Sequence, residues 1–424
     1  MSGTEVSAQR DIGVPLRQPA FRRLWAAQSF SLLGDGFSYV AFAWVTLSLT
    51  RSSLALGAIL SAQAIPRAGL TLVGGAITDR MSPRILMLLS SCARATLMVA
   101  VAALGFSHLL VLWMLFLAAA VFGAVDAFFQ PARSSILPSI IEPDQLRAAN
   151  GLLLTGARIA SVAGPAAGGI VVAASSSSTA FLVDGICFAL CAYCVAAVRE
   201  RAAQQEPGAE AAEAEDEPGQ DDKPESLSSR IRAGLAYAWS DPRIRSMLVI
   251  DAAVTFCFSG PFTVGFASLA RFRLADDAAA LGALEGAMTA GTILGALIAI
   301  AIHRHMRLGM MIAALAGWLA IGMFLMAVTD NLPGLIVVAL GMGLGIGYQG
   351  VFGASWVQRE VPQAILGRVI AVDMVAGYAV APVSLILAGV LGQKSTALIF
   401  VVTAVLLAIV GLGTLLSRPV RGMG

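Results

Sequence analysis

Apolar runs long enough to cross a lipid bilayer recur along almost the whole chain. Twelve such runs can be placed in its 424 residues, and a transmembrane helix needs about 20 apolar residues to span about 30 Å of hydrocarbon. Charged residues make up 13% of the chain, against roughly 25% in soluble domains. Because lipid offers no partner for free backbone groups, the runs must be helical. The sequence therefore predicts an all-α integral membrane protein.

The apolar runs form two groups of six, separated by a polar segment. The predicted spans cover residues 23–49, 54–78, 85–105, 109–130, 149–174, 179–198, 245–270, 279–302, 309–328, 332–355, 367–391 and 396–416. Residues 199–228 are rich in Glu, Asp, Pro and Gly, which predicts a disordered acidic linker; we favour a solvated tether over a docking site. Residues 229–244 mix basic and aromatic residues in an amphipathic pattern typical of a helix on the membrane surface.

Similarity between the halves suggests two pseudo-symmetric six-helix bundles. Gln130 ends the fourth span and Gln349 lies in the tenth, and each stands thirteen residues before a proline. Such duplication fits halves related by an axis along the membrane normal, one of the repeat arrangements of transporters. The predicted regions are a cytoplasmic N-terminal segment at 1–22, the first bundle at 23–198, the linker at 199–228, the surface helix at 229–244, the second bundle at 245–416 and a cytoplasmic tail at 417–424.

Basic residues lie mostly on one side of these spans. Short cytoplasmic loops retain Lys and Arg, and the basic residues on that side are Arg10, Arg17, Arg22, Arg23, Arg80, Arg84, Arg133, Arg147, Arg304, Arg307, Arg359, Arg418 and Arg421. The other side offers little beyond Arg51 and Lys394. We therefore expect both termini in the cytoplasm and a multi-pass protein of the plasma (inner) membrane. A net charge of +2 argues against a nucleic-acid partner.

One short turn concentrates charge between the second and third spans. In "VGGAITDRMSPRIL", Gly75, Asp79, Arg80 and Arg84 match the signature of this turn in the major facilitator superfamily, which the chain resembles here. Ser82 stands where that family usually has a second Gly. The resemblance implies a secondary transporter.

The same turn can act as a latch between helices. Negative charge is favoured at a helix N-terminus, which Asp79 can meet, and Arg80 and Arg84 can pair with a carboxylate on another span. We expect Asp126, near the cytoplasmic end of the fourth span, to be that partner. The alternative is that the arginines only fix the topology. We favour the latch because Asp79 contributes nothing to positive-inside orientation.

Small residues in the fifth span form a second motif. "GARIASVAGPAAGGIV" contains Gly164, Pro165, Gly168 and Gly169, which match a Gly-Pro-x-x-Gly-Gly core. In the superfamily that this chain resembles, the core is associated with export by antiport. Small residues allow close helix packing, and the proline favours a bend. Packing alone would explain much of the pattern, but we favour export.

The resemblance narrows to one branch over about residues 20–200. "FRRLWAAQSFSLLGDGFSYVAFAW" and "QPARSSILPSIIEPDQLRAANGLL" are similar to enterobactin-exporter-like and macrolide-efflux-like permeases, also called transmembrane secretion effectors. This likeness implies an inner-membrane exporter of small hydrophobic or amphipathic molecules, driven by protons. We expect no cofactor and a monomeric state.

Ionisable residues deep in a span are costly and point to function. Asp35 lies about twelve residues into the first span, near the midplane, between two glycines. A carboxyl placed there can exchange a proton for substrate, which is the coupling role we assign to it. The alternative is a structural ion pair with Arg94 or Arg158, which lie at similar depth. The two roles are compatible, because a pair that breaks on protonation is itself a coupling device.

Other charges lie within spans without a clear role. Arg67 follows a proline in the second span, and we interpret it as a cavity or inner-gate residue. Asp184 and Glu285 lie nearer the outer ends of their spans, and Asp251 and Asp373 nearer the inner ends. Any of these four can belong to a gate, but we favour helix capping or water exposure.

The motifs of nucleotide-driven pumps and of hydrolases are missing. The sequence has no Gly-x-x-x-x-Gly-Lys-Ser/Thr loop, no His-Glu-x-x-His and no Gly-x-Ser-x-Gly. The five cysteines lie in apolar runs, and we interpret them as packing residues rather than metal ligands. We therefore expect a proton-coupled exporter that works on a small-molecule substrate by alternating access. The alternatives are a proton-symport uptake permease and a non-transporting receptor or scaffold.

Overall fold

Long helices joined by short connections make up the computed structural model. It describes residues 14–78, 81–198, 242–274, 277–301, 308–360 and 363–416. The long helices in this part of the chain are α1 (Pro19–Thr50), α2 (Ser53–Thr78), α3 (Pro83–Phe106), α4 (Leu112–Ile136), α5 (Leu146–Ala174), α6 (Ser177–Ala196), α7 (242–272), α8 (Ala278–Ala301), α9 (Leu308–Val328), α10 (Leu332–Glu360), α11 (Gln363–Lys394) and α12 (Thr396–Leu416). A short helix, Val14–Arg17, precedes α1, and a 3₁₀ turn, Pro143–Gln145, precedes α5.

Among the described residues, 11 helices are long and apolar enough to cross a membrane. The long helix outside this set is α2, so the span predicted at 54–78 stays a prediction. Several helices run beyond the apolar stretches: α4 continues past Pro131 to Ile136, whereas the predicted span ended at residue 130. Hydropathy locates the stretch that suits hydrocarbon, and a helix can continue into the polar region on either side of it.

Contacts place helix ends at two levels of the molecule: the start of α2 lies beside the end of α7 at Ser53 and Ser268, and the start of α1 lies beside the end of α6 at Arg23 and Ala197. We call the end that carries the connections after the odd-numbered helices the far end, and the opposite end the near end. The linker 199–228, most of the surface helix 229–244, the tail 417–424 and the first thirteen residues lie outside the described part of the chain.

Helices within residues 14–198 pack mainly on one another, as do those within 242–416, and we call these the N half and the C half. Two helix pairs make the most extensive contacts between the halves: α2 packs on α11, and α5 packs on α8. Near the far end, the hydroxyls of Ser53 on α2 and Ser268 on α7 are 2.8 Å apart. The Ser61 hydroxyl donates to the carbonyl of Pro382 on α11 at 3.0 Å. These contacts hold the halves together at the far end.

Helix α7 changes its winding partway along. It consists of Pro242–Gly260, a π-helical turn Pro261–Gly265, and Phe266–Phe272. Pro261 has no N–H to donate and its ring crowds the preceding turn, which favours a local departure from regular helix. The Ser384 hydroxyl on α11 accepts the Gly260 N–H at 2.8 Å and donates to the Phe256 carbonyl. A side chain from α11 therefore satisfies backbone groups next to the turn.

Candidate functional site

A fully buried arginine lies inside the N half. Arg94 on α3 has no exposed surface. Its guanidinium carbon is 4.2 Å from the ring centroid of Phe188 and 4.5 Å from that of Phe129. Aromatic faces attract a planar cation and recover part of the hydration that it loses. A buried cation still needs a negative partner, and two aspartates supply it.

Four charged side chains from four helices form one connected group, which we call the charge network. Arg94 Nη1 lies 3.1 Å from Oδ1 of Asp126 and 3.6 Å from Oδ1 of Asp35. The other oxygen of Asp126, Oδ2, lies 3.1 Å from Nε of Arg67. Two arginines and two aspartates balance in formal charge, which limits the cost of burying them together. The network joins α1, α2, α3 and α4.

The two aspartates of the network are held differently. Asp126 places one oxygen on each arginine, and 5% of its side chain is exposed. Asp35 has one arginine at a longer distance, and 35% of its side chain is exposed. Neutralising Asp126 would remove the 3.1 Å ion pairs of both Arg94 and Arg67, whereas neutralising Asp35 would remove one ion pair of 3.6 Å. Asp35 is therefore the member whose charge can change at the smaller cost.

The structure decides between the two arginines that the sequence suggested as ion-pair partners of Asp35. Arg94 contacts it, whereas the side chain of Arg158 is exposed on α5 and makes no ion pair with it. Arg67, interpreted from the sequence as a cavity or gate residue, takes part in the charge network.

The pairing expected for Asp126 differs from the structure. Asp126 contacts Arg94 and Arg67, whereas Arg84 donates to the carbonyls of Val195 and Ala196 at the end of α6. Because α4 runs ten residues beyond Asp126 to its end, this carboxylate lies about 15 Å from the near end. Arg84, the described arginine of the motif, therefore does not pair with Asp126.

The remaining latch residues are only partly described. Asp79 and Arg80 lie outside the described residues, and Gly75 belongs to the last part of α2. The latch between them therefore stays a prediction.

Glycines of the fifth-span motif bring the backbone of α5 against α1. A Cβ added at Gly36 would lie 2.6 Å from the carbonyl carbon of Gly164, and one at Gly164 would lie 3.2 Å from the Cα of Gly36. A Cβ at Gly168 would likewise lie 3.2 Å from the α1 backbone. Ordinary carbon contacts are about 3.5–4.0 Å, so any larger residue would force the helices apart. This contact lies immediately beside Asp35.

The same motif also touches the other half of the molecule. A Cβ added at Gly169 would lie 2.7 Å from the carbonyl oxygen of Ala278 and 3.0 Å from the Cα of Gly282, both on α8. A Cβ at Gly282 would lie 2.6 Å from the carbonyl oxygen of Pro165. We call the set Gly36, Gly164, Gly168, Gly169 and Gly282 the glycine seam. Through it, α5 contacts both the helix that carries Asp35 and the C half.

Two buried carboxyl groups were misjudged from the sequence. Asp184 is 0% exposed and Glu285 is 4% exposed, and both lie inside their helices rather than at an end, so neither is the helix cap or water-exposed group that we favoured. The Ser38 hydroxyl on α1 donates to Asp184, and this partner sits on another helix, where sequence spacing carries no signal. At the next residue of α1, the Tyr39 hydroxyl donates to the carbonyl oxygen of Thr263 on α7 at 3.0 Å. The one available hint was that Glu285 stands between small residues in "GALEGAM".

The cysteines are free thiols in the described structure. Cys187, Cys191 and Cys194 share α6, and Cys191 is buried beside the Ser91 hydroxyl, 3.4 Å away. In the described part of the chain, no group of three or more His, Cys, Asp or Glu side chains is arranged to hold a metal ion.

Known proteins resemble this chain over nearly its full length. Residues 13–422 match the model of a family described as transmembrane secretion effector. The multidrug efflux pump Tap of Mycobacterium tuberculosis is 28% identical over 384 residues, which cover 88% of this chain and 87% of Tap. Tap of Mycolicibacterium fortuitum is 26% identical over 391 residues, covering 89% and 90%.

Solved structures share the fold at much lower identity. The nucleoside transporter NupG is 14% identical with a TM-score of 0.70, covering 94% of this chain and 100% of NupG. A peptide transporter POT in complex with sulfate is 13% identical with a TM-score of 0.69, covering 94% of each chain. At this identity the similarity concerns the arrangement of helices and not the substrate.

Proposed function

Because the chain belongs to the transmembrane secretion effector family of the major facilitator superfamily, we propose that it is a proton-coupled exporter of small hydrophobic or amphipathic molecules. The multidrug efflux pumps to which it is similar support this substrate class. In this proposal twelve spans form two six-helix bundles that rock about a central cavity in the inner membrane. Both termini face the cytoplasm, so the near end is cytoplasmic.

The position of Asp35 is the single observation that carries the proposal. It is the less tightly held carboxylate of a buried network, it keeps 35% of its side chain exposed, and the glycine seam begins at the next residue. Ionised Asp35 attracts Arg94; protonated Asp35 does not, and Arg94 then rests on Asp126 alone. If a proton and a substrate both bind at Asp35, the two cannot be bound at the same time. Such mutual exclusion is the requirement for exchanging one for the other.

The arrangement also suggests how the exchange is linked to movement. When the contact between Asp35 and Arg94 weakens, α1 is held less firmly to α3. Because α1 and α5 touch through backbone at Gly36 and Gly164, a shift of α1 is passed to α5 and onward to α8. Protonation at one carboxyl can therefore bias how the two halves meet.

Transport with and without this carboxyl tests the proposal. Purified wild type and Asp35→Asn are reconstituted in liposomes, and the internal pH is followed while lipophilic cations, macrolides and siderophore-like compounds are added. We expect substrate-evoked proton movement in the wild type and its loss in the variant. Asp251→Asn, which removes a partly buried carboxyl from α7, is the matched control and is expected to behave as the wild type.

Other outcomes favour other functions. Proton movement that persists in Asp35→Asn would refute the coupling role of Asp35. Accumulation of substrate together with protons would indicate an uptake permease. Ligand binding without counterflow would indicate a receptor or scaffold.

A further inference from the structure

Two members of the charge network remain open to the space around them. The side chain of Asp35 is 35% exposed and that of Arg67 is 38% exposed, whereas Arg94 is fully buried and Asp126 is 5% exposed. The two buried members balance each other in formal charge, and the two open members carry opposite charges. The network therefore presents one carboxylate and one guanidinium to a solute.

Both open groups keep atoms with which to bind a ligand. The carboxylate of Asp35 accepts no hydrogen bond from the described residues, and its contact with Arg94 is an ion pair of 3.6 Å. Arg67 contacts Asp126 through Nε at 3.1 Å, and its guanidinium forms no hydrogen bond with any other described residue. A guanidinium has five N–H donors in a rigid fork. Asp126 thus fixes the position of Arg67 and leaves donors of the fork for a ligand.

Arg67 faces the interior of the molecule and not the lipid. Ile65 and Gly69 stand two residues to either side of it on α2. Ile65 is 57% exposed, and a Cβ added at Gly69 would meet no atom within 4 Å. Positions two residues apart on a helix do not share a face, so Arg67 lies on the side away from this open surface. Its contact with the buried Asp126 agrees with that direction, because charged side chains at membrane depth face the bundle interior or a water-filled cavity.

Hydrogen bonds between the halves lie just beyond both open groups, toward the far end. The Tyr39 hydroxyl on α1 donates to the carbonyl oxygen of Thr263 on α7 at 3.0 Å. Asp35 lies one helical turn before Tyr39, on the same face of α1. On α2, Ser61 donates to a backbone carbonyl of α11, and Arg67 follows Ser61 toward the near end. The two charged groups therefore stand on the near-end side of the contacts that hold the far end together.

One molecule can reach both groups. Two contacts of 3.1 Å and one of 3.6 Å lead from Asp35 through Arg94 and Asp126 to Arg67. The separation of the open groups is therefore within the length of a drug-sized molecule. In binding sites that are mostly apolar, a small number of placed polar groups fixes the orientation of the ligand.

The opposite charges of the two groups determine which ligands they suit. An ammonium group is attracted by Asp35 and repelled by Arg67, and a carboxylate is attracted by Arg67 and repelled by Asp35. A ligand with one charge therefore satisfies half of the pair. An amphoteric molecule, which carries both groups, satisfies both halves. Its carboxylate also matches the planar fork of the guanidinium, which can donate two parallel hydrogen bonds to it.

We propose that Asp35 and Arg67 form a two-charge substrate site that selects amphoteric molecules, with the ammonium group of the substrate on Asp35 and its carboxylate on Arg67. The inference rests on the proposed function and names the substrate class of the same site. Protonation of Asp35 removes the partner of the ammonium group, so the substrate is then held by its acid end alone and dissociates faster. Arg67 selects the molecule, and Asp35 also controls its release.

Binding of three matched ligands tests the proposal without transport. Norfloxacin carries a basic amine and a carboxylate, its methyl ester keeps only the charge of the amine, and N-acetylnorfloxacin keeps only the charge of the acid. Equilibrium dialysis against the full-length protein in nanodiscs near neutral pH, read by drug fluorescence and corrected with empty nanodiscs, gives a Kd for each. We expect the wild type to bind norfloxacin at least about tenfold more tightly than either derivative, because each derivative loses one charge-assisted contact.

Variants assign each end of the ligand to its residue. In Arg67→Gln, norfloxacin should bind at least about tenfold more weakly and no better than its ester, whereas the ester should lose no affinity. In Asp35→Asn, the affinity for norfloxacin should fall to that for N-acetylnorfloxacin. Arg67→Lys keeps the positive charge without the planar fork and should recover part of the preference. Arg158→Gln, which removes an exposed arginine from α5, is the matched control and should keep the wild-type order.

A purely structural role of Arg67 has a different signature. If Arg67→Gln weakens all three ligands by the same factor, Arg67 supports the fold without binding the acid, and the proposal is overturned. It is also overturned if the wild type binds either derivative as tightly as norfloxacin, or binds no norfloxacin.

The failures of the two proposals can be told apart. If substrate-evoked proton movement is lost in Asp35→Asn while the wild type binds the three ligands equally, the exporter stands and the amphoteric site is refuted. If Asp35→Asn keeps that proton movement while Arg67→Gln loses the preference for norfloxacin, the coupling role of Asp35 is refuted and the recognition of the acid by Arg67 stands.

Discussion

Replacing Gly169 with alanine should open the far end. In the structure, a Cβ at this position would lie 2.7 Å from the carbonyl oxygen of Ala278 and 3.0 Å from the Cα of Gly282. Both atoms are backbone of α8, in the C half, and cannot rotate out of the way. The clash therefore exists only while α5 and α8 are pressed together as they are here.

The size of the effect follows from the energy terms that differ between the open and the closed states of the far end. Alanine favours helix over glycine, but α5 is a helix in both states, so that gain cancels. What is left is the overpacking of the closed state, which typically costs about 1–3 kcal/mol. This energy corresponds to a rise of roughly 5- to 150-fold in the ratio of open to closed far end.

Labelling of a cysteine buried between the halves measures this ratio. Ser53 is 1% exposed and lies at the far end of α2, so Ser53→Cys should react with a membrane-impermeant maleimide only while the far end is open. In a background without native cysteines, Gly169→Ala should label at least about fivefold faster than the parent. Gly151→Ala is the matched control, because it makes the same change on the same helix at a position with no atom within 4 Å of the added Cβ.

Equal labelling rates in the parent and in Gly169→Ala would refute the reasoning. So would an increase in Gly151→Ala as large as that in Gly169→Ala, because the effect would then come from helix propensity and not from the seam.

Two further predictions concern stability, measured as the unfolding free energy in detergent. Asp126→Asn leaves Arg67 and Arg94 without their shared carboxylate and should lower the unfolding free energy by about 3–5 kcal/mol. Its control is Asp330→Asn, which removes an 82% exposed partner of Arg273 and should cost less than about 1 kcal/mol. Equal losses in the two variants would contradict the buried network. Ser384→Ala removes the acceptor of the Gly260 N–H and should cost about 1–3 kcal/mol. Thr403→Val, which loses a hydroxyl bonded only to its own helix at Ile399, is the control for Ser384→Ala and should cost clearly less.

The placement of the helices was predictable because hydropathy along the sequence controls it. Apolar runs of about 20 residues must become helices in lipid, and the described residues contain 11 helices long and apolar enough to cross a membrane. The ends were less predictable. Pro131 marks the limit of an apolar run, but α4 continues through it to Ile136, so this proline does not end the helix.

That misplaced end explains why Arg84 was expected beside Asp126. With α4 ending early, Asp126 lies close to the charged turn; with α4 extended, it lies deep beside Arg94. The sequence shows which charged residues lie inside apolar spans. Which of them pair with one another depends on the depth and rotation of separate helices. Arg158 shows the same limit, because its depth suited Asp35 while its direction on α5 did not.

The contact between Tyr39 and Thr263 was beyond the reach of sequence patterns for another reason. Thr263 lies in the π-helical turn at Pro261–Gly265, a local change of winding that hydrophobic periodicity does not register. Glu285 looked like a group near a span end because its position was counted along one helix only. Its burial comes from α1, α5 and α10 packing around it.

The glycine seam has a mechanical consequence. Side chains between two helices can absorb a small displacement by changing rotamer, but a contact between two backbones has no such freedom. Because α5 meets α1 and α8 through backbone at almost the same height, a displacement of α8 reaches Gly36 nearly undiminished. A side chain of any size at these positions would absorb part of the displacement. Less of the movement of one half would then reach Asp35.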